Sequence, residues 1–132
     1  MPHTHPVRVY YEDTDFSGAV YHASYLRFME RARTEFLRAL GVEQGAAMAG
    51  GGAEKFAFVV RSMQIDWLRP ARMDDQLVVE TRLEKLGAAA LDLNQRALRG
   101  GELLVEAKVR IACVVDGRAA RIPAGVRGKL AP

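Results

Sequence analysis

The sequence predicts an α+β fold in which a curved antiparallel five-stranded sheet wraps one long central helix. Three observations carry that expectation. Apolar residues recur at helical spacing over one long stretch, at Tyr25, Phe28, Met29, Ala32, Phe36, Ala39 and Leu40. From Lys55 onward the pattern changes to alternation with period two, the signature of half-buried strands. The links between those strands are short and rich in turn residues, whereas a parallel crossover needs about a dozen residues or more, so the strands pair as antiparallel hairpins. A chain of 132 residues can bury one core and is too short for two, giving a single domain over 1–132 with tails at 1–6 and 124–132.

Each element follows in order. Val7, Val9 and Tyr11 alternate as a first strand, and a polar loop then feeds the helix. The helix begins between Tyr21 and Ser24 and stops at Gly41, a residue suited to the left-handed conformation that ends helices. Residues 42–54 contain Gly45 and the triplet Gly50-Gly51-Gly52 and read as a flexible loop; the triplet lacks the Lys-Ser/Thr that follows a nucleotide-binding glycine loop. Ala57, Val59, Met63, Ile65 and Trp67 share one face of the next strand, with Phe56, Phe58 and Val60 on the other. Leu77, Val79, Thr81 and Leu83 mark the following strand, and Leu91, Leu93 and Ala97 the one after Gly87. Leu103, Val105, Ala107, Val109, Ile111, Cys113 and Val115 make the clearest alternation of all. A turn at Asp116-Gly117-Arg118, a short strand and one helical turn end the chain.

A long helix wrapped by such a sheet is the hot-dog architecture. One helix covers one sheet face, which leaves the other face and an edge to be covered, so the expectation is a homo-oligomer, dimer or tetramer, with Phe56, Phe58 and Val60 at the contact.

Composition narrows the function classes. With 49% hydrophobic and 27% charged residues the chain is an ordinary globular protein. A net charge of +3, with arginines scattered among glutamates and no basic stripe, predicts no nucleic-acid partner, though two or three arginines suffice for a small phosphorylated ligand. No apolar run is long enough for a transmembrane segment, the first residues do not resemble a signal peptide, and the expected compartment is cytoplasmic. The single cysteine, Cys113, lies in an apolar run and reads as a buried thiol. Histidines and carboxylates do not form a metal-ligand spacing, and no cofactor is implied; His3 and His5 fall in the expected mobile tail.

The loop Tyr10-Tyr11-Glu12-Asp13-Thr14-Asp15-Phe16-Ser17-Gly18-Ala19-Val20-Tyr21-His22 holds the densest chemistry in the chain: three carboxylates, a glycine and a histidine before a helix N-terminus. Free backbone N–H groups and the helix dipole favour negative charge there, so a carboxylate delivered to that place is a candidate catalyst. On the residues alone, catalysis by Asp15 and simple capping by Asp15 stand side by side. Asp13 reads as a turn or cap residue and Glu12 as exposed.

Tyr11-Glu12-Asp13-Thr14-Asp15, Gly18, Val20-Tyr21-His22 and the helix stretch from Tyr25 to Arg33 resemble the signature of hot-dog acyl-CoA thioesterases. The branch is that of 4-hydroxybenzoyl-CoA thioesterase and the thioesterase associated with the Tol-Pal system. Phe58-Val59-Val60-Arg61-Ser62, Leu68-Arg69-Pro70-Ala71 and Asp74-Asp75 extend the similarity along the chain. The resemblance implies hydrolysis of an acyl-CoA thioester to a free acid and CoA without a cofactor, with Asp15 as nucleophile or general base. It implies an oxyanion hole at the backbone N–H of His22 and Ala23, with Gly18 letting the loop approach closely. His22 has two readings, contact with substrate or leaving thiolate, and a hydrogen bond to the loop; Tyr21 packs beside it.

Glu30 is the alternative acid, because related hot-dog enzymes of another branch carry their catalyst on this helix. Against that stands a surface salt bridge with Arg27 and Arg33, each three residues away. Two departures from the family pattern are Ser24, where many relatives have asparagine, and the apolar turn Leu86-Gly87-Ala88-Ala89-Ala90, where some place residues that meet the CoA phosphates. Arg61, Ser62, Lys85, Arg96 and Arg99 become the CoA-binding candidates, and acyl carrier protein, which presents the same pantetheine arm, an alternative donor. A hot-dog dehydratase and a non-catalytic acyl-thioester or protein-binding module are the competing classes.

Overall fold

The computed structural model describes residues 2–49 and 55–131. Its elements are β1 (His3–Arg8), α1 (His22–Ala39), α2 (Gln44–Ala49), β2 (Ala57–Trp67), β3 (Gln76–Leu86), β4 (Ala90–Arg99), β5 (Glu102–Val115), β6 (Arg118–Ala119) and α3 (Ala124–Leu130). The strands form one antiparallel sheet in the order β1-β3-β4-β5-β2, with the two-residue β6 beside β5. The sheet curls around α1, the hot-dog arrangement expected from the sequence.

Helix α1 forms where apolar residues repeat every three or four positions, and it turns Tyr25, Phe28, Met29, Ala32, Phe36 and Leu37 into the core. Burying each of the large side chains stabilises the fold by about 1.5–3 kcal/mol. Gly41 ends the helix at φ +86°, as its position predicted. Opposite, the inner sheet face supplies Leu77, Val79, Leu91, Leu93, Val105 and Val109, all buried. Cys113 is buried too, its Sγ 3.8 Å from the Arg121 carbonyl oxygen. Among the described residues no helix is long and apolar enough to cross a membrane.

Bulges and local turns redirect several expected elements. Register shifts between Val60 and Ser62, so Phe58, Val60, Met63, Ile65 and Trp67 face the core side opposite Cys113, Ile111, Val109, Ala107 and Val105. Phe58 and Val60 therefore share a face with Ile65 and Trp67, contrary to the uninterrupted alternation, because one inserted residue reverses strand parity. Phe56 is buried and packs edge-on against Phe58 within the same chain, 5.3 Å between ring centroids. A second shift, between Ala97 and Leu98, puts Leu104 rather than Leu103 into the core.

The first strand stops at Arg8, and Tyr11 opens a 3-10 turn, Tyr11–Asp13, with its ring exposed. Part of the expected 42–54 loop is α2, built on the helix formers Ala46, Ala47, Met48 and Ala49; the glycine triplet lies outside the described residues. The expected tails are ordered elements. His3 to Arg8 pair with β3, so His3 and His5 are strand residues, and α3 docks through buried Leu130. Arg127 donates from Nη1 to the Gly87 carbonyl at 2.6 Å, and Lys129 Nζ to the Gly41 carbonyl at 3.0 Å, tying the C-terminal helix to two turns.

Candidate active site

The polar loop is fastened at both ends before any catalytic group enters it. Val9 exchanges backbone hydrogen bonds with the β2–β3 connection, its N–H to Asp75 O and its O from Asp74 N–H, each 2.9 Å. The 3-10 turn closes on itself: Asp13 Oδ2 accepts the Tyr10 N–H at 2.9 Å and Asp13 N–H donates to Tyr10 O at 3.0 Å. Asp13 is buried, and its carbonyl takes the Tyr21 N–H at 2.9 Å and the Ser24 hydroxyl at 3.0 Å. It is a turn residue whose carboxylate is spent on the backbone, and Glu12 beside it is exposed.

Beyond this knot the chain makes a small hairpin that presents Asp15. Thr14 bridges Val20, Asp15 N–H donates to Ala19 O at 3.0 Å, and Gly18 N–H returns to Asp15 O at 3.0 Å. Gly18 sits at φ +84°, and a Cβ there would meet nothing within 4 Å. The glycine is what permits this left-handed turn. Asp15 is exposed; its Oδ1 accepts the Ser17 N–H at 2.8 Å and the Ser17 hydroxyl. The hydroxyl, then the N–H, and more weakly the nearby His22, hold this carboxyl below the usual aspartate value.

Helix α1 starts beside the hairpin. Tyr21 occupies the cap position without a side-chain cap, and Ser24 N–H closes back on Tyr21 O at 2.9 Å. The N–H groups of His22 and Ala23 have no acceptor among the described residues, so the positive end of the helix dipole opens at this point. Ser24 stitches the helix to Asp13, and Arg27 donates from Nη2 to its hydroxyl at 3.1 Å. The His22 ring does not bond the loop. It stacks on Trp67 at the end of β2, centroids 4.6 Å apart and tilted 32°. Tyr21 is exposed rather than packed.

Two contacts that sequence reasoning missed hold this arrangement. Val20 N–H donates to Ala71 O at 2.8 Å, and Ala71 N–H donates to the buried Tyr25 hydroxyl oxygen at 2.9 Å, so the β2–β3 connection clamps both hairpin and helix. Trp67 gave no local signal as a ring partner. Ser17 did: a serine two residues after an aspartate is the pattern of a side-chain-closed turn.

Glu30 is exposed on α1 and makes no salt bridge with Arg27 or Arg33. Arg33 is instead buried, with Nη1 on Gln95 Oε1 at 3.0 Å; desolvation lowers its pKa, and Glu30 opposes that shift through space. The surface pair fails because the helical stripe that buries Met29 and Ala32 also carries Arg33 to the sheet. Of the CoA-binding candidates, Arg96 pairs with Glu80 at 3.4 Å, and Arg99 with Asp75 at 2.7 Å and Glu102 at 2.8 Å. Arg61 and Lys85 lie at the β2 and β3 register shifts, and both are exposed. Ser62 opens onto a surface cavity of about 400 Å³ that Lys108 and Arg110 also line.

A model of the thioesterase-like superfamily matches residues 9–130. The acyl-CoA thioester hydrolase YbgC of Escherichia coli O157:H7 is 49% identical over 110 residues, covering 83% of this chain and 79% of its own. The acyl-CoA thioesterase YbgC of Haemophilus influenzae is 46% identical over 113 residues, covering 86% and 81%. A probable thioesterase from Bartonella henselae superposes at a TM-score of 0.89 and 45% identity, over 93% of this chain and 100% of that one. A thioesterase from Thermus thermophilus, solved with coenzyme A and Zn, superposes at 0.82 and 27% identity, over 96% and 90%.

Proposed function

Because the chain belongs to the thioesterase-like superfamily, we propose that it hydrolyses an acyl-CoA thioester to a free carboxylic acid and coenzyme A, with Asp15 as the catalytic carboxylate. One observation carries the reading: an ionised, solvent-facing carboxylate shares a loop with a helix start whose first two N–H groups lack acceptors among the described residues. Asp15 adds through a carboxylate oxygen to the thioester carbonyl carbon. The C–S bond breaks, the thiolate departs, and water splits the resulting anhydride to return the carboxylate. A carboxylate stabilised as an anion is a weak base, which favours this addition over deprotonation of water. The N–H groups of His22 and Ala23 donate to the carbonyl oxygen as it becomes negative, an effect worth about 10²–10³ in kcat per donor in other hydrolases. His22, braced by Trp67, presents its imidazole to the leaving thiolate.

Acyl carrier protein is a second donor, favoured by a specific observation. Arg96 and Arg99 are already engaged by Glu80, Asp75 and Glu102, which leaves fewer cations for a nucleotide; a carrier protein brings the same arm without one. The enzyme works as a homodimer or homotetramer, since β2 ends the sheet with no strand on its outer side among the described residues.

The test is thiol release over aromatic, short, medium and long acyl-CoAs and an acyl carrier protein donor. Asp15→Asn is expected to lower kcat at least about a hundredfold while melting temperature and oligomeric state stay unchanged. Full activity in that variant would transfer the role to Glu30. Binding of thioesters with no thiol released from any donor would make the chain a binding module.

A further inference from the structure

Resting on the assignment of Asp15 as catalytic carboxylate, we propose that Ser17 is a positioning residue that occupies Oδ1 of Asp15 and leaves Oδ2 to meet the thioester carbon. An exposed aspartate ordinarily offers two equivalent oxygens on a freely turning carboxylate. Here both Ser17 donors, the N–H at 2.8 Å and the hydroxyl, fall on Oδ1, and Oδ2 has no hydrogen-bond donor from another described residue. The hydroxyl's direction is fixed independently. Ala19 N–H donates to Ser17 Oγ at 3.4 Å, and a carboxylate can only accept, so the single hydroxyl proton points at Asp15. The chain Ala19 N–H, Ser17 O–H, Asp15 Oδ1 thus breaks the symmetry of the carboxylate before substrate arrives, and orientation of this kind is a large part of catalysis.

The same contacts favour the ionised form, and the titratable side chain that also acts on Asp15 is His22 at the start of α1. The hydroxyl can be removed without the turn, because the backbone N–H remains in Ser17→Ala and Gly18 keeps its conformation.

Three measurements test this, using whichever thioester the wild-type chain turns over fastest. Ser17→Ala is expected to lower kcat about tenfold with KM changed less than about twofold. The Asp15 carboxyl carbon, followed by ¹³C NMR, should titrate at higher pH than in the wild type, and the acid limb of kcat/KM should move with it. Ser17→Thr should restore both. A variant that melts as the wild type does, yet keeps the wild-type kcat or the wild-type Asp15 titration, overturns the proposal. The two readings fail separately: an active Asp15→Asn removes Asp15 itself, whereas an inactive Asp15→Asn beside an indifferent Ser17→Ala removes only Ser17.

Discussion

The Asp15 carboxyl is held below the usual aspartate value mainly by donors on one of its oxygens, not by burial against a cation. Its folded pKa lies below the unfolded value, with the Ser17 hydroxyl as the largest cause. The sign follows directly: the anion persists while an ordinary aspartate would begin to protonate, and is lost only as pH falls through the depressed value. The acid limb of wild-type kcat/KM should therefore lie below about pH 3.9, the ordinary aspartate value. Initial rates after brief acid jumps check this, and a limb in or above the ordinary range would contradict it. At this scale the sequence was informative: the loop's crowding of carboxylates, Gly18 and His22 was visible without coordinates. The partner of His22 was not, because Trp67 lies two helices and a strand away along the chain and meets it only through the tertiary fold.

Among the elements, α1 and β4 are joined by a polar latch inside an apolar interface. Gln95 is fully buried; its Nε2 donates to Met29 O and to Thr81 Oγ1, each 3.0 Å, while Oε1 accepts from Arg33. Removing the amide strands a buried guanidinium, so Gln95→Leu should cost about 3–5 kcal/mol. Urea denaturation measures it, and adding Arg33→Met should recover part of the loss by removing the unpaired charge. The helical spacing put Arg33, four residues after Met29 and three before Phe36, on the buried stripe; it could not show Gln95, the partner that arrives from another strand. β3, β4 and β5 were legible from alternation because their buried faces are apolar over most of their length, and β2 from an alternating side that is only half-buried. The shifts near Arg61 and Leu104 were not. A bulge adds one residue without a compositional mark and silently exchanges inside for outside.

For the whole molecule the unfinished boundary is β2, eleven residues long with no strand on its outer side among the described residues. Val59, Val60, Trp67 and Leu68 are 42–55% exposed along or just beyond it. An uncovered apolar edge of that length invites pairing with a second copy. Light scattering of the wild-type chain should report a dimer or tetramer, and Val60→Asp should shift it towards monomer by placing a charge in the joint; a monomeric wild type would contradict the proposed assembly. The β2–β3 connection has a different significance. Ala71, a residue with no side-chain chemistry, lends its carbonyl to Val20 and its N–H to Tyr25, so the Asp15 hairpin and the core helix share one rivet. A change that displaces the Ala71 backbone is therefore expected to disturb the Asp15 hairpin and α1 together.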